Sequence, residues 1–243
     1  MLFQGTSVSV AYNRIEQIKK VYYTNVDILK EYFNEATVLP VPEDAPDEIP
    51  RIIVKTLHEH AQLNISPVAA TFEVHYNEGY EKDWESCEKY IRERMNKVFE
   101  FLNLFTNNQY SYVGVVSSVL YDEVSSNGTG KLADKLLNAA NIKNIYDLNI
   151  KYTFVESDKY FVNILLQNAR LLKSGLEINK AGSLSIKNQI AETIGAIIDI
   201  NDRYGFNNVE GYCSNDAVID DLLSSMRCIV ENKLATLIEK GEY

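Results

Sequence analysis

The sequence is poor in the residues that usually carry catalysis, metal binding or membrane insertion. It has three cysteines and three histidines in 243 residues. Cys87, Cys213 and Cys228 are an odd set without metal-ligand spacing, which excludes a disulfide framework and a zinc cluster. Cys87 and Cys228 fall in amphipathic stretches, where buried free thiols are expected. All histidines lie between positions 58 and 75 and Gly-x-Ser-x-Gly is absent, so the usual Ser–His and Cys–His nucleophile arrangements have little to build on. No apolar run approaches the roughly 18 residues of a membrane span, and no basic segment leads an apolar one at the N-terminus. A cytoplasmic protein is the simplest expectation. Glycine is sparse too, and no Gly-rich strand-to-helix turn is present, which argues against a doubly wound nucleotide fold.

Positive charge is in deficit: 24 basic against 34 acidic residues give a net charge of −10. Such a surface repels phosphate backbones and anionic lipid, so nucleic acid and membranes are not expected partners. The densest basic clusters, Lys19-Lys20 and Arg92–Arg94, are diluted by glutamates. A basic or unfolded protein partner suits this charge. Sixteen tyrosines, with abundant Asn, Ile and Lys, suggest an AT-rich bacterial or phage genome.

Hydrophobic residues make up 46% of the chain, enough for a large core without metal or disulfide staples. Strand-like alternation covers Phe3–Ala11, Arg51–Leu57, Ala61–Ile65, Phe72–Tyr76, Gln109–Asp122, Leu148–Val155, Tyr160–Arg170 and Ile186–Ile200. In the last of these, Ile186, Ile190, Ile194, Ile198 and Ile200 share a face opposed by Lys187, Gln189 and Thr193, the pattern of an antiparallel strand with one wet face. Lys82–Phe105 has the clearest helical stripe: Trp84, Cys87, Ile91, Met95, Val98, Leu102 and Phe105 step by three or four. Helices are also expected before Phe33, over Gly128–Ala140, and from Ser214 or Asn215 through Glu239.

Strands mixed with helices, without strict βαβ alternation, predict an α+β fold: a long-stranded antiparallel sheet packed by two long amphipathic helices. Residues 1–243 read as one domain, with a sub-domain division near 106–147 and a Pro-rich linker at 40–50. Arg51–Phe105 and Leu148–Glu239 echo each other loosely, as strands followed by one amphipathic helix.

Each candidate for chemistry meets a simpler explanation. Ser125–Lys131 ends in Gly-Thr-Gly-Lys but lacks the first glycine and the hydroxyl residue of a phosphate loop, so it reads as a flexible entry to a helix. His58 and His60 fit a polar turn as well as a metal pair completed by His75. Asp199–Gly205 fails as a calcium loop, because Arg203 and Tyr204 stand where a ligand and a glycine are needed. Glu192 shares the isoleucine face, where burial would raise its pKa.

The order of segments resembles a family of uncharacterised, sporadically distributed bacterial proteins of similar length. The likeness rests on Ile49-Pro50-Arg51, His58-Glu59-His60, Tyr80 and Trp84 opening a long helix, and Ile197–Asn201 before a C-terminal helix. Many members carry an Arg-rich strand where this chain has Gly114–Ser118. The resemblance implies no established activity, and some settings in bacterial defence. In charge, long antiparallel strands, C-terminal helix and aromatic-rich sheet, the chain is also similar to the export chaperone SecB.

A non-enzymatic interaction protein is therefore expected, engaging a protein or peptide and forming a homo-oligomer, with no cofactor and no metal. Tyr110, Tyr112, Tyr152 and Tyr160, with Arg170, are the candidate binding residues on an aromatic sheet face. The alternative is a metal-dependent hydrolase or nuclease-like enzyme using Glu192, Asp199 and Asp202. A third class, a small acidic or nucleotide ligand, needs convergent cations, for which Arg51, Arg170 and Lys187 are the places.

Overall fold

The computed structural model describes residues 1–42, 44–121, 128–137, 145–172 and 189–243. Nine strands form one antiparallel sheet: β1 Leu2–Ala11, β2 Thr37–Val38, β3 Ile52–Lys55, β4 Ala61–Ile65, β5 Ala69–His75, β6 Tyr112–Leu120, β7 Asn149–Glu156, β8 Tyr160–Leu172 and β9 Gln189–Asn201. Their spatial order is β2-β3-β4-β5-β1-β6-β9-β8-β7. The helices are α1 Ile18–Asn25, α2 Trp84–Thr106, α3 Gly128–Leu137, α4 Arg203–Asn208, α5 Val218–Cys228 and α6 Leu234–Lys240. The fold is α+β, as the mixed pattern predicts.

Alternation decides which face of the sheet is covered. Val8 and Val10 of β1, Phe72 and Val74 of β5, Val113 and Val115 of β6, and Ile198 and Ile200 of β9 are buried on one side. Burying such a side chain contributes about 1.5–3 kcal/mol, so this face drives assembly. Helix α2 lies over it with the predicted stripe buried from Trp84 to Leu102, and Trp84 packs on Phe3 of β1 at 5.3 Å between ring centroids. Asp83 starts the helix by accepting the Glu85 N–H at 3.1 Å. The expected single C-terminal helix is interrupted instead: α5 and α6 are joined by a π-helical turn at Ile229–Lys233. Cys87 is buried as expected, whereas Cys228 is exposed.

The sheet contains the same path twice. In the first half, β1 is flanked in order by β5, β4 and β3; in the second, β6 is flanked by β9, β8 and β7. A helix separates the first two of these strands in sequence in each half (α1 or α3), and helices follow the last (α2, or α5 with α6). One backbone bond locks the equivalence of positions: Tyr12 N–H donates to Val68 O at 3.0 Å, and Tyr121 N–H to Ile194 O at 2.8 Å. β1 and β6 pair antiparallel at the centre, with Ser7 opposite Val116. Both sets of helices share one face, so the halves are related by an approximate two-fold axis normal to the sheet. Each half therefore extends one strand and one helix further back than the echo visible in the sequence.

The Pro-rich stretch at 40–50 joins two paired strands of the one sheet. Its flanks pair, Thr37 with Ile53 and Val38 with Ile52, so it closes a loop at one sheet edge. Arg51, buried beneath it, donates to the carbonyls of Ile49, Ala45 and Pro46.

Candidate binding face of the sheet

Odd-numbered residues of β7, β8, β9 and β5 point away from the helices. Register places Thr153, Asn163, Asp199, Val116, Ser7, Glu73, Gln62 and Lys55 in one row across this second face. Among the described residues only α4 reaches it, at one corner, where Tyr204 meets Phe161 edge-on at 5.3 Å and Arg203 lies 4.0 Å over the Tyr112 ring.

The two halves of this face differ in chemistry. Across β3, β4 and β5 it is polar and satisfied within itself, as in the Gln62 Nε2 donation to Glu73 at 3.1 Å. Small residues follow in the centre: Ser7, Ser9, Gly114 and Ser118. Beyond them Val116 and Leu120 of β6, Ile197 of β9 and Leu165 of β8 form a half-buried aliphatic patch. Ile197 stands directly opposite Leu165, with Val116 and Leu120 on its diagonals, within side-chain reach across a sheet. Phe161 and the 45%-exposed Val155 form a separate apolar pair, divided from this patch by the polar row Thr153, Asn163 and Asp199. The outer edge of β7 has no strand partner among the described residues, whereas β2 covers the matching edge of β3.

Three of the four candidate tyrosines lie on the helix-covered face, not on this one. Tyr110 is buried and its hydroxyl donates to Asn103 of α2. Tyr160 is buried beneath α5 and donates to Asp221 at 2.6 Å; burial, reinforced by that carboxylate, raises its pKa. Tyr152 packs against the core beside Phe154, which stacks on Tyr243 at 4.0 Å. Tyr112 alone faces outward, held by the Arg203 guanidinium. An aromatic platform is thus replaced by an aliphatic one. The physical reason is parity: Tyr152 of β7 stands opposite Ile164 of β8, and Tyr160 of β8 opposite Glu156 of β7, all on the even-numbered face, where the two rings supply bulk beneath the helices.

The three acids of the alternative reading do not converge. Glu192 and Asp199 lie on one strand seven residues apart, roughly 23 Å at strand rise. Asp199 is on the open face, where Asn163 and Asn201 donate to it. Asp202 is fully buried and accepts from Val113 N–H at 2.7 Å and Tyr212 Oη at 2.5 Å, pinning the chain after β9 onto β6. His58 and His60 sit in the β3–β4 turn, and no group of three metal-ligating side chains is present among the described residues.

Glu192 caps a helix. Its carboxylate accepts from Thr129 N–H at 3.2 Å, Thr129 Oγ1 at 2.8 Å and Asn168 Nδ2 at 2.9 Å, with Arg170 Nε at 3.9 Å. Burial opposes its ionisation, but donation from Thr129 and Asn168 and the Arg170 charge outweigh it, so its pKa is lowered rather than raised. The Gly-Thr-Gly segment at the start of α3 does bind an anion, and the anion is internal. Gly128 permits the approach: a Cβ there would lie 3.0 Å from Thr193 O. Arg170, which also stacks on Tyr146 at 4.0 Å, is part of this cluster and not of the open face. Lys187, Ile186 and residues 125–127 lie outside the described residues.

No described helix is long and apolar enough to cross a membrane. Comparisons with protein-family models, curated proteins and solved structures give no match.

Proposed function

We propose that the chain is a non-catalytic binding protein that takes an extended or unfolded polypeptide segment on the aliphatic half of its open sheet face. The observation that carries this reading is the patch Val116, Leu120, Leu165 and Ile197 on a face without helical cover. An adjacent strand edge at β7 offers backbone donors and acceptors for an extended partner. The net charge of −10 favours a basic segment. Dispersed carboxylates give no comparable support to hydrolysis.

The test uses a reduced, carboxamidomethylated basic protein as the unfolded probe, with fluorescence anisotropy as the readout. Ile197→Asn combined with Leu165→Asn removes apolar surface worth about 1.5 kcal/mol or more per side chain. A loss of affinity of about tenfold or greater is expected, since 1.4 kcal/mol is a factor of ten. Leu104→Asn, at a 54%-exposed position on α2, should change nothing. Equal binding by both variants, with native circular dichroism, refutes the face as the site.

A further inference from the structure

A second site follows from comparing the two halves at the start of their first helices. In the second half the N-terminus of α3 is occupied by the Glu192 carboxylate. With Tyr12 matched to Tyr121 and Val68 to Ile194, the first hairpin turns at Ser66–Ala69, whereas β8 and β9 run on to pair Arg170 with Glu192, so the first half has no strand residue at the place of Glu192. Ser66 has no carboxylate to offer, and its hydroxyl is turned back to the N–H groups of Val68 and Ala69 at 3.3 and 3.0 Å. The corresponding start of α1 opens instead on a cavity of about 490 Å3, with Pro67 in its wall.

That cavity concentrates the charge that the rest of the molecule lacks. Among the described residues Arg14, Lys19, Lys20 and Arg51 line it, against Glu16 and Asp47, so four cations face two carboxylates in a chain of net charge −10. Asp47 and Glu16 engage Arg14, at 2.8 and 3.9 Å. Lys19 Nζ donates to Leu39 O at 2.9 Å. Arg51 is 5% exposed, and the partners of its guanidinium are three carbonyl oxygens, with no carboxylate within ion-pair distance among the described residues. A guanidinium buried that deeply is normally matched by an anion. Lys20 is exposed and its ammonium has no partner among the described residues. The helix dipole adds to this field: Gln17, at φ 52° in the left-handed region, begins α1 and no side chain caps it.

We propose that this cleft, between the start of α1 and the loop preceding β3, binds a small oxyanion: a phosphate monoester or a carboxylate. The oxyanion takes the place that the Glu192 carboxylate fills in the other half. Arg51 and the first N–H groups of α1 supply the fixed positive potential, Arg14 and Lys20 the adjustable part. Asp47 and Glu16 at the rim favour a ligand that also carries hydroxyl donors. The site is on a different part of the molecule from the aliphatic face, so it stands or falls independently of polypeptide binding.

The test is an amide 1H–15N NMR titration with two probes, glycerol 3-phosphate and glycerate, in the full chain. The expected result is saturable shifts of the Ile18, Lys19 and Lys20 amides with one probe or both, the preferred one identifying the anion. Lys20→Glu, at an exposed position without side-chain partners, should weaken binding at least fivefold, and Arg14→Gln should act in the same direction. Arg170→Gln, whose guanidinium belongs to the Glu192 cluster, should leave the affinity unchanged. Absence of saturable shifts with both probes overturns the proposal. So do shifts centred on α3, or an affinity that Lys20→Glu leaves intact.

Discussion

Replacing Glu192 by Gln removes one charge from the start of α3 and almost nothing else in volume. In the native protein its two oxygens accept from Thr129 N–H, Thr129 Oγ1 and Asn168 Nδ2, all within 3.2 Å. A glutamine offers one acceptor oxygen where two are needed, and its amide nitrogen must face at least one donor. A charge-assisted hydrogen bond contributes about 1.5–3 kcal/mol, and a buried donor left unpaired costs about 1–3 kcal/mol. Lost attraction to Arg170 at 3.9 Å adds less, because that side chain is partly solvated. The total destabilisation comes to about 2–4 kcal/mol. For a chain of this size each kcal/mol moves Tm by roughly 2–4 °C, so a fall of about 4–16 °C is expected at pH 7. The pH dependence distinguishes charge from shape. The carboxyl pKa is depressed in the folded state, below its ordinary 4.5. Its contribution is therefore complete above that value and is lost as pH falls through the folded pKa. Thermal unfolding followed by circular dichroism at pH 7, 5 and 3 should show the gap between native and Glu192→Gln protein narrowing at the acid end. A gap that stays constant to pH 3, or is absent at pH 7, refutes the carboxylate's role as the cap of α3.

Tyr22 is 1% exposed, edge-on to Phe101 at 6.0 Å, and its hydroxyl has no partner among the described residues. Burial, with a smaller effect of Tyr23, pushes its pKa up to about 12. Tyr22→Phe should then be neutral or stabilising by about 1 kcal/mol in urea unfolding; a loss of that size would reveal a partner for the hydroxyl. The cysteines divide by burial. Burial, aided by the Asp83 charge, pushes the Cys87 thiol to about 12, while Cys213 and Cys228 are exposed. Ellman's reagent at pH 8 should find two fast thiols in the folded chain and three in denaturant, and a third fast thiol without denaturant would contradict this core.

Elements whose signal is local were legible in the sequence. β4 occupies Ala61–Ile65 as the alternation indicates, and the stripe from Trp84 to Leu102 is the buried face of α2. Even the π-helical turn leaves a trace, because the apolar step from Ile229 to Leu234 is five residues rather than three or four. Pairings over long separations were not legible. Nothing in the local sequence joins Glu192 to Thr129, 63 positions away, so the carboxylate looked like a candidate acid with a raised pKa. The tyrosines misled for a different reason. Alternation separates a strand into two faces, but a ring with a polar tip suits either, and Tyr160 found Asp221 under a helix. The two-fold relation was visible only as an echo, because β1 and β6 share position and pairing rather than residue type.

The central β1–β6 seam is formed within one polypeptide. Were the halves separate molecules, that pairing would be lost on dilution; tethered, each half meets the other at an effective concentration in the millimolar range for a short flexible connection. Covalent joining also releases the halves from identity. A symmetric assembly must carry any change at both equivalent places, whereas here one hairpin is long enough to bring a glutamate to its helix start and the other turns at Ser66–Ala69 before reaching that place. The molecule can thus fill one of two matching sockets and leave the other open to solvent.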